Sequence, residues 1–448
     1  MLTQHNEGGL YMRSFYGALA GAGAMLLAGL SPARAATEIE FWHAMSGALG
    51  ERVEELVKKF NDSQKEYVVK AIGKGTYDEV LNGTIAAYRA KRQPEIVQSN
   101  ERSFLTMVNS GAIVPTSDLM AQEGHPIDAS QFIAPVVSYY AIDGKLQAMP
   151  FNSSTPILFY NRDHFKAAGF DKPGATWQEL EPQLDAIKAK GVSKCAMVLP
   201  GDYEWSFLEN YSAVNDIPYA TKRNGMDGLD TSYVFNKGKL VDQVERMKRL
   251  VSSGVMQLAG QGIIPIQLFT SGECSTIIAS TASHAAVVAA AKFDWSAAEL
   301  PYEQGVTPKN SVIGGAALWT LKGHSPEKYK AIAAFYDFLA KTDTQVWWHQ
   351  ATGYVPVTTA AYEAAKAQGY YQKNPTREIA VLQLMRGTPS DNSLGFRIGN
   401  SNQINVAIME EVSAAFLGKK PVQQALDDAV ARGNEALRRY EQLNAGKK

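Results

Sequence analysis

The sequence predicts an α/β chain of two lobes with a polar cleft between them, and three observations predict it. The first is length. At 448 residues the chain exceeds the roughly 100–200 residues of one ordinary domain. The second is a regular alternation of strand and helix patterns from residue 39 onward, which implies parallel pairing in a wound sheet. The third is the stretch 144–161 (GKLQAMPFNSSTPILFYN). An extended segment runs into Pro150, a short polar run follows, and a second extended segment resumes at Pro156. Each proline lacks an N–H and restricts the residue before it, so a regular helix cannot pass through. Ser153, Ser154 and Thr155 between them can hydrogen-bond a ligand or the local backbone. A strand that leaves one lobe, passes a cleft and enters another has this pattern.

The elements follow in order. Arg13 precedes an apolar run over 15–30, and SPARA at 31–35 offers small residues at an A-x-A cleavage site. Residues 1–35 therefore read as a signal peptide, with Met12 as the start, because 1–11 carry an acid and no basic residue. The alternative is a membrane anchor, but the run is shorter than the roughly 20 residues that a spanning helix needs. Residues 39–43 (IEFWH) alternate as a strand. Leu49, Val53, Leu56, Val57 and Phe60 then share one helical face. Residues 67–73 (YVVKAIG) form a second strand and 75–77 a loop, before a helix marked by Val80, Leu81, Thr84, Ile85 and Tyr88. Residues 95–99 form a third strand, ending at Asn100, Glu101 and Arg102. Ligands of such sheets sit beyond the carboxyl ends of the strands. That places His43, the 75–77 loop and Asn100–Glu101 at one rim. Each alone could be a solvated loop residue; three strand ends together make a site.

Residues 195–199 (CAMVL) form a strand that ends in PGDYEW. There Trp205 either stacks on the C–H face of a polyol or sugar, or fills the core. A helix lies within 236–254. The strand 274–279 (CSTIIA) runs into Ser280, Thr281 and Ser283 at a helix start, where hydroxyls either cap the helix or meet an anion or hydroxyl. Cys195 and Cys274 can form one bridge or stay as two buried thiols. Residues 312–319 (VIGGAALW) read as a second crossing, in which Gly315 lets a ligand approach the backbone. Ser325-Pro326 starts a helix with Tyr329, Ile332, Tyr336 and Leu339 inward. Residues 352–356 (TGYVP) read as a third crossing. The remainder reads as helical, with a stripe of Val422, Leu426, Ala429, Val430, Leu437 and Tyr440. The crossings divide the chain into 36–152 plus 316–356 for lobe one and 153–315 plus 357–448 for lobe two.

Composition narrows the function classes. Forty-four basic residues against 45 acidic ones give a net charge of −1. That is no footprint for nucleic acid, and no polybasic membrane-surface segment is present. The seven histidines (His5, His43, His125, His164, His284, His324 and His349) show no metal-ligand spacing. There is no G-x-S-x-G nucleophile elbow. No catalytic residue, metal or cofactor is expected.

Several motifs together carry a resemblance. YNRD at 160–163, Gly169, Pro173 and TWQEL at 176–180 join FWH at 41–43, FNSSTP at 151–156, IGGA at 313–316, TGYVP at 352–356 and KKPVQQAL at 419–426. In this order they resemble the extracellular solute-binding proteins of family 1, the capture subunits of ABC importers, over essentially all of the chain after the signal peptide. The narrower likeness is to members that carry glycerol 3-phosphate and glycerophosphodiesters. The resemblance implies a type II periplasmic binding protein fold. It implies a periplasmic protein, acting as a monomer, that passes a small polar solute to membrane permease and ATPase subunits. The solute it implies is sn-glycerol 3-phosphate or a glycerophosphodiester such as glycerophosphocholine. By the same resemblance Tyr77, Ser154, Ser280, Gly315 and Tyr354 surround the phosphate, and Glu101 takes glycerol hydroxyls. Trp205 stands on the glycerol side. Asn405 stands where the resemblance places an arginine, and Asp202 where it places a second aromatic. Both changes disfavour a dianion. The alternatives are a sugar, glycoside or polyol binder of a related importer and, more remotely, a secreted hydrolase.

Overall fold

The structure is a computed structural model and describes residues 35–445. The expected signal segment to residue 34 and its start at Met12 lie outside them. Two sheets organise the described chain. The first contains β1 (Thr37–His43), β2 (Tyr67–Gly73), β3 (Ile96–Asn100) and β4 (Ile113–Val114). A small hairpin, β5 (Ala141–Ile142) with β6 (Lys145–Leu146), precedes β7 (Met149–Ser154). The second sheet contains β8 (Pro156–Asn161), β9 (Cys195–Leu199), β10 (Met256–Leu258), β11 (Cys274–Ser280) and β12 (Trp295–Ala298). β13 (Gly314–Leu321) then returns to the first sheet. The strand orders are β2-β1-β3-β13-β4, with β7 also on β13, and β10-β9-β11-β8-β12.

The alternation correctly implies parallel pairing of β1 with β2 and β3. It does not extend to the whole sheet. β13 runs antiparallel to β3, β4 and β7, because a strand that comes back from the other sheet enters from the opposite end. The register His43↔Gly73 and Phe41↔Ile96 brings the carboxyl ends of β1, β2 and β3 to one rim.

Hydrophobic periodicity explains the helices packed on these sheets. The Gly47–Ser63 helix buries Val53, Leu56, Val57 and Phe60, four of the five residues read onto one face. The Pro326–Ala340 helix buries Ile332, Tyr336 and Leu339, while Tyr329 is half-buried. Ser325 precedes it but makes no side-chain cap bond; the proline in its first turn starts the helix. The chain from 386 to 400 departs from the helical expectation, running as turns before Asn400 enters the Ser401–Phe416 helix at φ 60°. Gly387, Pro389 and Gly395 interrupt it. Trp319, Tyr140, Phe104 and Phe41 are fully buried in the first core, each worth roughly 1.5–3 kcal/mol by removal from water. Cys195 and Cys274 lie opposite each other in the β9–β11 register and form a disulfide with Cα atoms 4.6 Å apart. Among the described residues no helix is long and apolar enough to cross a membrane.

The segment before β13 meets the first crossing at Thr155, and the 352–356 segment meets it at Ser153. Thr155 alone separates β7 from β8 and is fully buried. Its hydroxyl donates to Ser311 Oγ at 2.7 Å and lies 3.1 Å from the Val312 carbonyl. Its own carbonyl accepts from Thr281 N–H at 3.1 Å. Two residues earlier, the Ser153 carbonyl accepts from Val355 N–H at 2.9 Å. The second and third crossings are thus pinned to the first.

Candidate functional site

Tyr77 is the first residue of the Tyr77–Arg89 helix, not a loop residue as its sequence context suggested. A capping box fixes it: Thr76 Oγ1 accepts from Glu79 N–H, and the Glu79 carboxylate accepts from Thr76 N–H at 2.7 Å. Its phenol oxygen accepts from Asn152 Nδ2 at 3.0 Å. Asn152 is fully buried in β7, and its side-chain Oδ1 accepts from Gln98 Nε2 at 2.8 Å. Gln98 Oε1 in turn accepts from Ala44 N–H at 2.7 Å. One polar relay therefore ties the ends of β1, β3 and β7 to Tyr77. Tyr354, in the third crossing, shares Asn152 with Tyr77. Its ring stacks on Trp348, which stacks on Phe151, and its hydroxyl lies 3.6 Å from Met45 Sδ. Burial pushes the Tyr354 phenol up to about 12, against the hydrogen bond from Asn152. The Tyr77 phenol is also pushed up, by burial first and then by Tyr354. Both stay neutral donors at ordinary pH.

Gly315 has φ 104°, and a Cβ built on it would lie 1.9 Å from the Asn152 carbonyl oxygen. Only glycine fits there. Its N–H donates to the Glu101 carboxylate. Ser154, buried at the end of β7, pairs with Gly314. Trp205 covers Gly314 so closely that a Cβ there would sit 2.6 Å from the indole. The indole N–H points at the Ile313 carbonyl, 3.4 Å away. Trp205 is half-buried at the start of a π-helical turn, Glu204–Glu209. Asp202, three residues earlier, is exposed.

Glu101 is buried, and burial raises its carboxyl to about 7 against the pull of Arg102. Arg102 lies 3.7 Å from Glu101, 2.7 Å from Glu204 and 3.8 Å from Glu209. Burial would lower the guanidinium, but the carboxylates outweigh it and hold it charged. Burial and Glu204 push the Glu209 carboxyl up, while Glu204 takes the short bond to Arg102. Arg102 follows a strand of the first sheet and Glu204 follows a strand of the second, so this ion pair joins the two sides.

The two remaining candidates lie on the second side. Ser280 ends β11 opposite Pro156, and its hydroxyl accepts from Ala282 N–H at 3.2 Å; it caps the short helix that follows. Asn405 is buried in the Ser401–Phe416 helix, which packs on both the Glu101–Ser103 turn and the Glu204–Glu209 turn.

The structure thus joins Tyr77, Glu101, Gly315 and Tyr354 through Asn152 and backbone bonds, with Ser154 and Trp205 on the adjoining Gly314. Ser280 sits beside the crossing and Asn405 behind the acidic turns. Sequence reasoning gave no role to Gln98, Asn152, Arg102, Glu204 or Glu209. Gln98 carried one signal, a polar residue inside an apolar strand. Two surface recesses, one lined by Gly191, Lys194 and Glu273 and one by His125, Pro126 and Phe132, contain none of the candidates.

A sequence model described as bacterial extracellular solute-binding protein matches residues 55–378. The chain belongs to that family. It is 41% identical over 427 residues to the sn-glycerol-3-phosphate-binding periplasmic protein UgpB of Salmonella typhimurium, covering 94% of this chain and 97% of the relative. It is equally 41% identical over 409 residues to the protein of the same name from Rhizobium meliloti, covering 90% and 95%. Among solved structures, UgpB of Mycobacterium tuberculosis in complex with glycerophosphocholine superposes with a TM-score of 0.76 at 23% identity, covering 90% of this chain and 99% of that one. The fold of this solute-binding protein is accordingly the two-lobed α/β fold of periplasmic binding proteins.

Proposed function

We propose that this protein is the periplasmic solute-binding subunit of an ABC importer. It captures sn-glycerol 3-phosphate or a glycerophosphodiester such as glycerophosphocholine and delivers it to the permease and ATPase subunits. The observation that carries this reading is the near full-length identity to proteins named for binding sn-glycerol 3-phosphate. The junction fits it chemically. Tyr77, Ser154, Tyr354 and Ser280 offer neutral donors for phosphoryl oxygens, and Glu101 is an acceptor for vicinal hydroxyls. In this reading residues 36–152 with 316–356 form one lobe, and 153–315 with 357–448 form the other. The division is supported by β7 and β13, which cross within two residues of those limits.

The reading is of a binder without catalysis, since none of the eight candidate residues is a nucleophile paired with a base. A thermal-shift screen of glycerol 3-phosphate, glycerophosphocholine and simple glycosides tests it. The native state gains stability by mass action from whatever it binds. A rise in melting temperature with either glycerol phosphate is expected. A rise with glycosides alone would overturn the ligand class, and turnover of a glycerophosphodiester would overturn the absence of catalysis.

A further inference from the structure

Two guanidiniums near the junction are committed to protein partners. Arg102 is shared among Glu101, Glu204 and Glu209. Arg397 donates from Nη2 to the carbonyls of Ser138, Tyr139 and Ala141. Arg377 is different. It closes the short Pro375–Arg377 turn, and its Nη1 is buried without a hydrogen-bond partner. Glu378, the next residue, accepts from the Tyr362 hydroxyl instead, at 2.8 Å. Burial lowers the Arg377 guanidinium, and what opposes burial is the Tyr370 phenol, not a carboxylate. A charge left unpaired in such a place is costly. An anion brought by a ligand would offset that cost.

Position connects Arg377 to the phosphate donors. Gly353 ends the Thr342–Thr352 helix at φ 88°. A Cβ built on it would lie 2.1 Å from Arg377 Nη1, 3.2 Å from the Thr281 carbonyl oxygen and 3.3 Å from His284 Cβ. The missing side chain admits the guanidinium to the third crossing, within about 4 Å of the Gly353 Cα. Tyr354 follows Gly353, and Ser280 precedes Thr281; both are among the donors offered to a phosphate above. The histidines at this place are no second cation. Burial first, and Arg377 after it, hold His284 down at about 3. Burial holds His349 down at about 4, against its bond to the Tyr354 carbonyl and with help from Arg377. Both rings are neutral above pH 6, and Arg377 carries the charge.

We infer that Arg377 supplies the positive charge that balances the ligand's phosphate, acting from behind the 280–281 and 353–354 segments. The inference rests on the function proposed above and deepens it. The phenols, hydroxyls and the backbone bond the phosphoryl oxygens, but each is a neutral donor and leaves the charge uncompensated. The Arg377 guanidinium stands one residue behind two of these donors, at a distance on the order of 10 Å or less. Protein, not water, fills the space around its Nη1, so its field is weakly screened. It acts on the charge of the ligand and not on its shape.

Calorimetric titration at pH 8 of the exported protein and its Arg377→Gln and Arg377→Lys variants tests this. The probes are glycerophosphocholine, whose phosphate carries one charge, and sn-glycerol 3-phosphate, a phosphomonoester that has lost its second proton near pH 6 and carries two. One unit charge on the order of 10 Å away, at an effective dielectric of about 20, changes affinity about tenfold. Arg377→Gln should therefore weaken the diester about tenfold and the monoester about a hundredfold. Arg377→Lys, which keeps the charge, should recover most of both losses. The ligand-free melting temperature of Arg377→Gln should be unchanged or raised, because an unpaired charge has been removed. Unchanged affinity of Arg377→Gln for both ligands would overturn the inference and leave the proposed function standing. So would equal losses for the two ligands with a lower melting temperature and no recovery by Arg377→Lys, which would make Arg377 structural. Binding of neither ligand by the unmodified protein would overturn both.

Discussion

Gly315 is the residue at which backbone geometry and site chemistry coincide. It holds a positive φ, touches the Asn152 carbonyl and donates to Glu101. Gly315→Ala must either strain the backbone or push Asn152 away from Tyr77. A loss of roughly 2–4 kcal/mol is expected from strain and overpacking together, read as a fall of several degrees in melting temperature, with ligand binding abolished. A variant with unaltered melting temperature and affinity would show that the close approach has no consequence. Gly315 and Glu101 were legible in the sequence because each stands at the end or bend of a strand pattern, where chemistry collects. Asn152 and Arg102 were not. Asn152 acts through Gln98 and Tyr77, more than fifty residues away in sequence, and Arg102 through Glu204, about a hundred away. No local pattern announces such pairings.

Elements show the same division. Strand and helix positions followed from period-2 and period-3.6 patterns, so β2 and the Gly47–Ser63 helix appear close to where the pattern put them. Pairing direction did not follow for β13, since direction depends on which sheet a strand comes from. One carboxylate shows how elements are fastened. Glu95, just before β3, accepts from Glu40 N–H of β1 at 2.7 Å. It also meets His324 at 3.0 Å and Lys328 of the Pro326–Ala340 helix at 2.5 Å. Burial pushes its carboxyl up, but these partners outweigh burial and hold it down at about 2. Its unfolded value is about 4.3. A carboxyl depressed on folding stabilises above its unfolded pKa, and that contribution is lost as pH falls from about 4.3 through 2. The contribution at neutral pH is at most about 3 kcal/mol. Glu95→Gln should therefore lower stability at pH 7 by about 2–3 kcal/mol and flatten the acid side of the stability profile. Denaturant titrations at pH 7, 4, 3 and 2 check it; parallel profiles for the two proteins would refute the linkage.

At the scale of the whole molecule, the two-lobed plan was readable from three interruptions of an otherwise regular pattern, at Pro150–Pro156, Gly314–Gly315 and Gly353–Pro356. The bonding of the second to the first at Thr155 was not, because it depends on hydroxyl and carbonyl bonds between segments 156 and 157 residues apart. Lobes joined by such crossings are expected to rotate about them when a polar ligand bridges them. Small-angle scattering should give a radius of gyration smaller by on the order of 1 Å at saturating glycerophosphocholine than without it, from a compact-chain value near about 22 Å. Identical profiles would count against hinge closure. The single residue between β7 and β8 has a further consequence. The candidate groups divide into those of the first side, such as Tyr77, Glu101 and Tyr354, and those of the second, such as Trp205, Ser280 and Asn405. Neither set encloses a solute by itself. Because the chain passes between them three times, the second set meets a half-captured solute intramolecularly. The effective concentration is in the millimolar range or above, as for short linkers. Each side can then hold its part of the solute weakly and release it readily, while the tethered pair together holds it far more tightly than either side alone.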